Sequence, residues 1–214
     1  MTYPLTRLPA DAALPDFSGA FEPTRVPEPF HALPEGQIDR YPWAAAYPDR
    51  FPAFFRLGWN SSGVFALMYA RETPTQARET RFGGATCRDS CMEFFFMPFP
   101  DADRRYLNIE INPAGVPHVG IGEDRFDRRV WKEAVPGMTI RTGAPGAWWA
   151  VSFLLPMGVL QSEYGRTLAP GLAARANLYK CSEDIHPHFG TWNPVSAPKP
   201  DFHRPECFGR VELL

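Results

Sequence analysis

The chain alternates short apolar runs with turn signals, a pattern that predicts β-strands. The runs FFRLGW and VFALMYA flank NSSG at 60–63, which predicts a hairpin with a four-residue loop. Further strands are predicted from CMEFFFM, YLNIEIN, PHVGIG, GMTIRTG, WWAVSFLL, ARANLYKC and CFGRVELL. About nine strands with no long helical pattern favour an all-β fold, a two-sheet antiparallel β-sandwich, in which MGVLQSEYG forms a single helical turn.

The YLNIEIN run has the clearest two-residue period in the sequence. Successive side chains of a strand point to opposite faces of the sheet, so its apolar and polar residues separate. We expect one face to join the core (Leu107, Ile109 and Ile111) and the other to be polar (Asn108, Glu110 and Asn112).

The first 35 residues differ from the rest in their density of proline. Proline donates no backbone hydrogen bond and disrupts both helix interiors and sheet ladders. We therefore expect an extended arm over residues 1–35, anchored by Phe17, Phe21 and Phe30, that packs on a sandwich domain formed by 36–214.

Composition supports a packed β-protein and excludes several function classes. The 24 Pro, 17 Gly and 14% aromatic residues do not fit a helical bundle, and 44% hydrophobic residues suffice for a core. A net charge of -2 provides no basic field for nucleic acid or anionic membranes. We see no apolar stretch of membrane-spanning length and no secretory signal, which favours a cytoplasmic location.

Polar residues on neighbouring predicted strands form the first candidate site. Glu93 lies within the apolar run CMEFFFM, so it needs a partner or a ligand. Asn108 and Glu110 follow on the next strand, and Asn177 lies on a later one. Rigidly held amides and carboxylates suit sugar hydroxyls, which both donate and accept hydrogen bonds. The alternative is an ordinary solvated sheet face.

Trp192, in the segment HPHFGTWNP, is the second candidate. This segment is predicted to be a loop, and an indole exposed on a rigid loop can stack on the C–H face of a sugar ring. A buried Trp that anchors the loop is the alternative.

Two enzymatic alternatives use histidines or carboxylates of the chain. The histidines His186, His188 and His203 are weak candidates for a metal site. Glu93 and Glu110, on adjacent predicted strands, are candidates for a glycoside-processing pair. A haem-binding relative would instead need Met68, Met97 or His118 as an axial ligand. Cys87 and Cys91 are interpreted as buried thiols.

The order of motifs along residues 36–214 resembles the carbohydrate-binding family 9-like domains, relatives of the family 9 modules attached to xylanases. The motifs that carry the resemblance are ID-x-x-P-W, R-x-x-W-N, RDSCMEFF, YLNIEIN, WWAVSFLLP and the terminal HFGTWNP with DFHRPECFG. The terminal stretch is the most specific of these.

The resemblance implies an immunoglobulin-like or jelly-roll-like sandwich that binds sugars without cleaving them. It also implies a grip between two aromatic rings, structural calcium, and association with a glycoside hydrolase in carbohydrate catabolism. Trp192 corresponds to one ring and Glu93 to the hydroxyl-binding carboxylate, with Asn108, Glu110 and Asn177 as further ligands. Cys87 stands where the second ring is expected, and the Arg expected on YLNIEIN is absent, so the clamp is incomplete.

Overall fold

The computed structural model describes residues 1–17, 19–143 and 146–214, within which thirteen strands and one α-helix form. In chain order the strands are β1 (Thr2–Arg7), β2 (Gly36–Gln37), β3 (Ala53–Asn60), β4 (Gly63–Arg71), β5 (Cys91–Met97), β6 (Tyr106–Ile111), β7 (Pro117–Gly122), β8 (Arg128–Val130), β9 (Thr139–Gly143), β10 (Trp148–Pro156), β11 (Ala173–Ser182), β12 (His188–Thr191) and β13 (Gly209–Leu213); the helix α1 spans Met157–Tyr164. All nine predicted strands are confirmed, and β1, β2, β8 and β12 are additional.

The strands form one continuous curled sheet. Eleven follow a single path, β8-β7-β6-β5-β11-β13-β1-β3-β4-β10-β9, while β12 pairs with β11 and β2 with β3. We call β5–β8 and β11–β13 the front half, and β2–β4, β9 and β10 the back half. Both halves contribute side chains to one hydrophobic cluster, so the main core lies between them.

The expectation of a purely antiparallel sheet is wrong at β1. This strand pairs in parallel with both β13 and β3 and joins the two halves. Its neighbours come from distant parts of the sequence, so no tight hairpin forces an antiparallel direction.

The expectation that residues 1–35 avoid the sheet is also wrong at β1, although Pro4 lies inside it. The carbonyls of Met1 and Leu5 accept hydrogen bonds from Arg210 and Leu214 of the chain's end. The backbone groups of the alternate residues, Pro4 among them, point towards β3 instead. The ladder between β1 and β3 begins only at Thr6. The proline nitrogen therefore lies where no ladder donor is needed.

Residues 8–33 are mostly irregular and cover the outer surface of the back half. Their apolar side chains pack against Phe65, Leu67 and Tyr69 of β4 in a second cluster that includes Leu8, Leu14, Phe21, Val26, Phe30 and Leu33. Residue 18 lies outside the described part of this segment. The domain division at residue 35 stays a prediction.

Two turns differ in detail from the prediction. Asn60 pairs with Gly63, so the loop between β3 and β4 has two residues, and Gly63 has a φ of 145°. The MGVLQSEYG segment forms an eight-residue helix that ends at Gly165, whose φ of 65° is left-handed. Within the described chain, no helix has the length and apolar character needed to cross a membrane.

A buried ion pair links the two halves across the core. Lys180 on β11 contacts Glu72, just after β4, with 3.0 Å between Nζ and Oε2, and both side chains are almost fully enclosed. The indole of Trp149 donates to the same carboxylate oxygen at 2.9 Å. Charged groups at this depth persist only when paired and hydrogen-bonded.

Candidate functional site

A cavity of about 590 Å³ opens on the outer face of the front half. Strands β5, β6, β7 and β11 supply its floor, and loops before β5, after β7 and around β12 supply its wall. The cavity lining includes Tyr47, Cys87, Glu93, Glu110, His118, Arg125, Arg128, Cys181, Glu183, Phe189, Phe202 and His203.

Two carboxyl groups lie together on the floor of this cavity. Glu93 on β5 and Glu110 on β6 are directly paired across the antiparallel ladder, so they share a face, and they are 3% and 5% exposed. Burial, reinforced by Glu110, raises the pKa of Glu93 well above its usual range. Burial also raises the pKa of Glu110, although His118 and Arg128 oppose the shift. Within the described residues, neither carboxyl has a basic partner within ion-pair distance.

Two side chains next to the carboxyl pair each contain a buried polar atom without a partner in the described chain. Asn108 donates from Nδ2 to Glu110 Oε1 at 2.9 Å, while its own Oδ1 is buried without a partner in the described chain. The Nδ1 of His118 lies 2.9 Å from the Gly84 carbonyl, which assigns the proton to that nitrogen. Its Nε2 is buried and likewise lacks a described partner. Such atoms are costly to bury unless a ligand or water satisfies them.

His203 forms a neutral, fixed part of the wall. Arg128 donates to its Nε2 at 3.1 Å, so the ring donates from Nδ1 to the Tyr106 hydroxyl at 2.7 Å. Burial, together with Arg128, lowers the pKa of His203 to about 3. The imidazole therefore stays uncharged and orients Arg128 at the edge of the cavity.

Aromatic rings form one side of the cavity. Tyr47 and Phe189 are half-buried, and their ring centroids are 4.9 Å apart at an interplanar angle of 78°. Phe202 stacks on Tyr179 with centroids 4.0 Å apart, which holds it rigidly against the sheet. The cavity thus combines apolar ring surface with a carboxyl floor.

Trp192 does not belong to this wall, and the expectation of an exposed stacking indole is wrong. The side chain is 3% exposed and packs edge-on against Tyr3 and Phe55 in the main core. Its backbone N–H bonds to the Leu178 carbonyl and so continues the β11–β12 ladder by one residue. A residue paired with Leu178 points to the core, as Leu178 does.

Asn177 also lies outside the cavity and serves the loop after β12. It is fully buried, donates to the Asn193 carbonyl at 3.0 Å and accepts from the Asn193 backbone N–H at 2.9 Å. Its expected role as a ligand residue is therefore replaced by a structural one. Asn108 is equally buried but reaches the site through Glu110.

The three histidines do not converge on a metal site. His186 lies at the surface near Asp49. His188 is buried, with Nδ1 2.6 Å from the His186 carbonyl and Nε2 2.8 Å from Lys180 Nζ, so both nitrogens are occupied. Burial and the Lys180 charge lower the pKa of His188 to about 2. His203 stands apart in the cavity wall, with its own two partners.

The one cluster of metal-type donors found in the described residues is Cys91, Glu93 and Cys181. Calcium takes six to eight oxygen ligands, so a group with two sulfurs does not fit the calcium that the resemblance implies. Of the three residues named as axial ligands of a haem, Met68 is buried in the main core, Met97 is buried in a hydrophobic cluster on the outer face of the front half, and His118 lines the cavity.

Sequence reasoning missed the aromatic residues that line the cavity. In HFGTW, alternation along β12 places Phe189 opposite Cys181, on the cavity face, and Trp192 on the core face. Recognising the segment as a strand would have found Phe189. Tyr47, Arg128 and His203 come from segments whose convergence no local pattern indicates.

Comparisons with known proteins show the family of the chain. A family model described as carbohydrate-binding family 9 matches residues 29–213. The chain belongs to carbohydrate-binding family 9. No curated protein sequence matches the chain at a significant level.

Solved structures show the same fold for this family 9 chain. A proposed carbohydrate-binding protein of Bacteroides uniformis has a TM-score of 0.81 at 22% identity, covering 100% of this chain and 99% of that one. A family 9 module from Caldicellulosiruptor kristjanssonii, solved with glucose, has a TM-score of 0.67 at 10% identity, covering 100% and 96%. The same module solved with cellotriose gives the same TM-score and identity, covering 93% of that chain.

Proposed function

We propose that this family 9 chain binds a mono- or oligosaccharide end in the cavity of the front half without cleaving it. The observation that carries the proposal is the pair Glu93 and Glu110, two buried carboxyls without a basic partner in the described chain, at the floor of an aromatic-walled cavity. Sugar hydroxyls are suitable partners, because they donate to carboxyl oxygens and tolerate either protonation state.

Each part of the cavity has a role in this proposal. Glu93 and Glu110 form hydrogen bonds with sugar hydroxyls at the floor, and His118 Nε2 forms one with a further hydroxyl. Tyr47 and Phe189 provide the apolar surface for the ring's C–H face. Arg128, held by His203, donates from the edge. The family assignment and the neighbour's glucose and cellotriose complexes support sugars as the ligand class.

A glycoside hydrolase partner, carbohydrate catabolism and calcium remain predictions from the resemblance. No comparison favours an enzyme, so the glycoside-processing alternative is not carried forward.

Isothermal titration with glucose, xylose, cellobiose, xylobiose and cellotriose tests the proposal. We expect millimolar or tighter binding of at least one sugar, reduced about tenfold or more by Glu93→Gln. The glutamine replaces an accepting carboxyl oxygen by a donating NH₂ group, and a buried hydrogen bond left unmade costs about 1–3 kcal/mol. Glu206→Gln, which removes an exposed carboxylate outside the cavity, is the matched control and is expected to bind like wild type.

A second pair of variants distinguishes sugar binding in the cavity from sugar binding at Trp192. Tyr47→Ala removes apolar surface from the wall and is expected to weaken binding about tenfold, the effect of about 1.4 kcal/mol. Trp192→Phe keeps an aromatic ring in the core and is expected to leave affinity unchanged. If neither Glu93→Gln nor Tyr47→Ala alters binding, the ligand lies elsewhere.

A further inference from the structure

The floor of the cavity contains a second arrangement, formed by Cys91, Glu93 and Cys181. Cys91 on β5 is paired directly with Cys181 on β11 across the antiparallel ladder. Glu93 lies two residues along β5, so it points to the same face as Cys91. Both sulfur atoms and a Glu93 carboxyl oxygen lie within 4.8 Å of one another, and all three side chains are buried.

The present partners do not satisfy the Glu93 carboxyl. The hydrogen bond that the structure gives it comes from the Cys181 thiol, with Sγ 3.0 Å from Oε1. A thiol is a weak donor, and an acid at this depth is costly without a strong partner. A metal cation held by the same three groups would supply the missing positive charge.

The two sulfurs determine which metal suits this group. Thiolates are soft ligands that select zinc-class ions, whereas magnesium and calcium take oxygen ligands. With bonds of about 2.3 Å to sulfur, tetrahedral geometry places donor atoms about 3.8 Å apart. The three donors already lie within 4.8 Å of one another, close to this spacing.

The cavity gives an ion access to the site. Cys181 and Glu93 line the cavity, whereas Cys91 is fully buried behind them. Three protein donors leave the fourth position directed towards the open side, where Cys87 also lines the cavity. We propose that Cys91, Glu93 and Cys181 bind a thiophilic divalent metal ion, zinc or a close analogue, with its fourth position open to the cavity.

Spectroscopic metal titration of the full chain tests the proposal. Protein kept reduced with a phosphine and freed of metal by chelation is titrated with Cd²⁺, Co²⁺ and Zn²⁺. We expect one equivalent of Cd²⁺ or Co²⁺ to produce a sulfur-to-metal charge-transfer band, and one equivalent of Zn²⁺ to abolish the Co²⁺ spectrum by displacement.

The variants assign the band to its ligands. Cys181→Ser and Cys91→Ala are each expected to remove or diminish the band and weaken affinity at least tenfold, while circular dichroism verifies that they fold. Glu93→Gln keeps both sulfurs, so it should retain a band with weakened affinity. Cys207→Ser is the matched control, because Cys207 is a half-buried thiol outside the donor group.

The outcome is separate from that of sugar binding, although the two proposals share Glu93. Absence of a charge-transfer band in wild type at saturating metal, or an unchanged band in both Cys181→Ser and Cys91→Ala, overturns the metal site. Sugar titration of chelated wild type and of Cys91→Ala, whose side chain lies behind the cavity lining, tests the sugar site without metal. Failure of that titration alone leaves the metal result standing.

Discussion

At the scale of single residues, the front half buries two acids, Glu93 and Glu110, side by side, and burial of this kind disfavours their charged forms. Glu93 faces Glu110 on β6 and Cys181 on β11, with Arg128 and Glu183 near the cavity edge. The raised pKa means that the folded state retains protons that the unfolded chain releases. An acid whose pKa is raised in the folded state stabilises the fold at any pH below its pKa in the unfolded chain, about 4.5 for Glu93. This contribution is lost as pH rises through the folded-state pKa.

Replacing Glu93 by glutamine should therefore change the pH dependence of stability. As pH rises from 4.5 to 8, wild type loses the stabilisation that the protonated Glu93 provides, whereas glutamine has no proton to lose. We therefore expect the free energy of unfolding of Glu93→Gln, minus that of wild type, to increase over this range. Urea unfolding at several pH values measures it, with Glu206→Gln as the exposed control. Parallel pH curves for Glu93→Gln and wild type would show that Glu93 titrates normally.

The residues found from sequence are those whose position depends on local alternation. Glu110 and Asn108 lie where the two-residue period of β6 places them, and Glu93 was identified by its apolar surroundings. Trp192 was wrongly predicted to be exposed on a loop. Which side chains of β12 point to the core depends on the pairing of β12 with β11, and the residues HFGTW alone do not reveal that pairing. Tyr47 reaches the site through tertiary packing and has no local signal.

At the scale of elements, β1 completes the sheet path between the two halves. It pairs with β13 on one side and β3 on the other, and Leu5 projects from it into the main core with no exposed surface. Sequence reasoning recognised the later strands by their apolar runs. It missed β1 because proline density outweighed the alternation of Tyr3 and Leu5.

Truncating the core side chain of β1 should destabilise the whole sheet. Leu5→Ala is expected to cost about 2–5 kcal/mol, the range for emptying a buried leucine site. Thr2→Ala, on the exposed start of the same strand, is expected to change stability by less than about 0.5 kcal/mol. Chemical denaturation compares the two, and equal effects would mean that β1 contributes little to the core.

At the scale of the whole molecule, the Lys180–Glu72 pair connects front and back halves through the core. Lys180 also donates towards His188 Nε2, so the ammonium, carboxylate, imidazole and Trp149 indole form one buried network. Removing one charge leaves the other without compensation. Removing both charges leaves only a packing defect.

A double-mutant cycle measures this connection. Lys180→Met is expected to cost about 3–5 kcal/mol, because it leaves Glu72 buried and unpaired, and Lys180→Met with Glu72→Gln is expected to cost less than Lys180→Met alone. Arg210→Met, which breaks an exposed pair with Glu212, should cost less than about 1 kcal/mol. A double variant at least as unstable as Lys180→Met would contradict the argument.

The residues that line the cavity lie on two kinds of backbone, paired strands and connecting segments, and this difference matters for engineering. Glu93, Glu110 and Cys181 lie on paired strands whose register cannot shift without moving every neighbouring side chain. Arg125, Glu183 and Lys199 lie on connecting segments that tolerate substitution and changes of length. A library that diversifies these three positions is expected to change the shape of the mouth while the floor's chemistry stays constant. It would vary the selectivity of the proposed sugar site without redesigning the core.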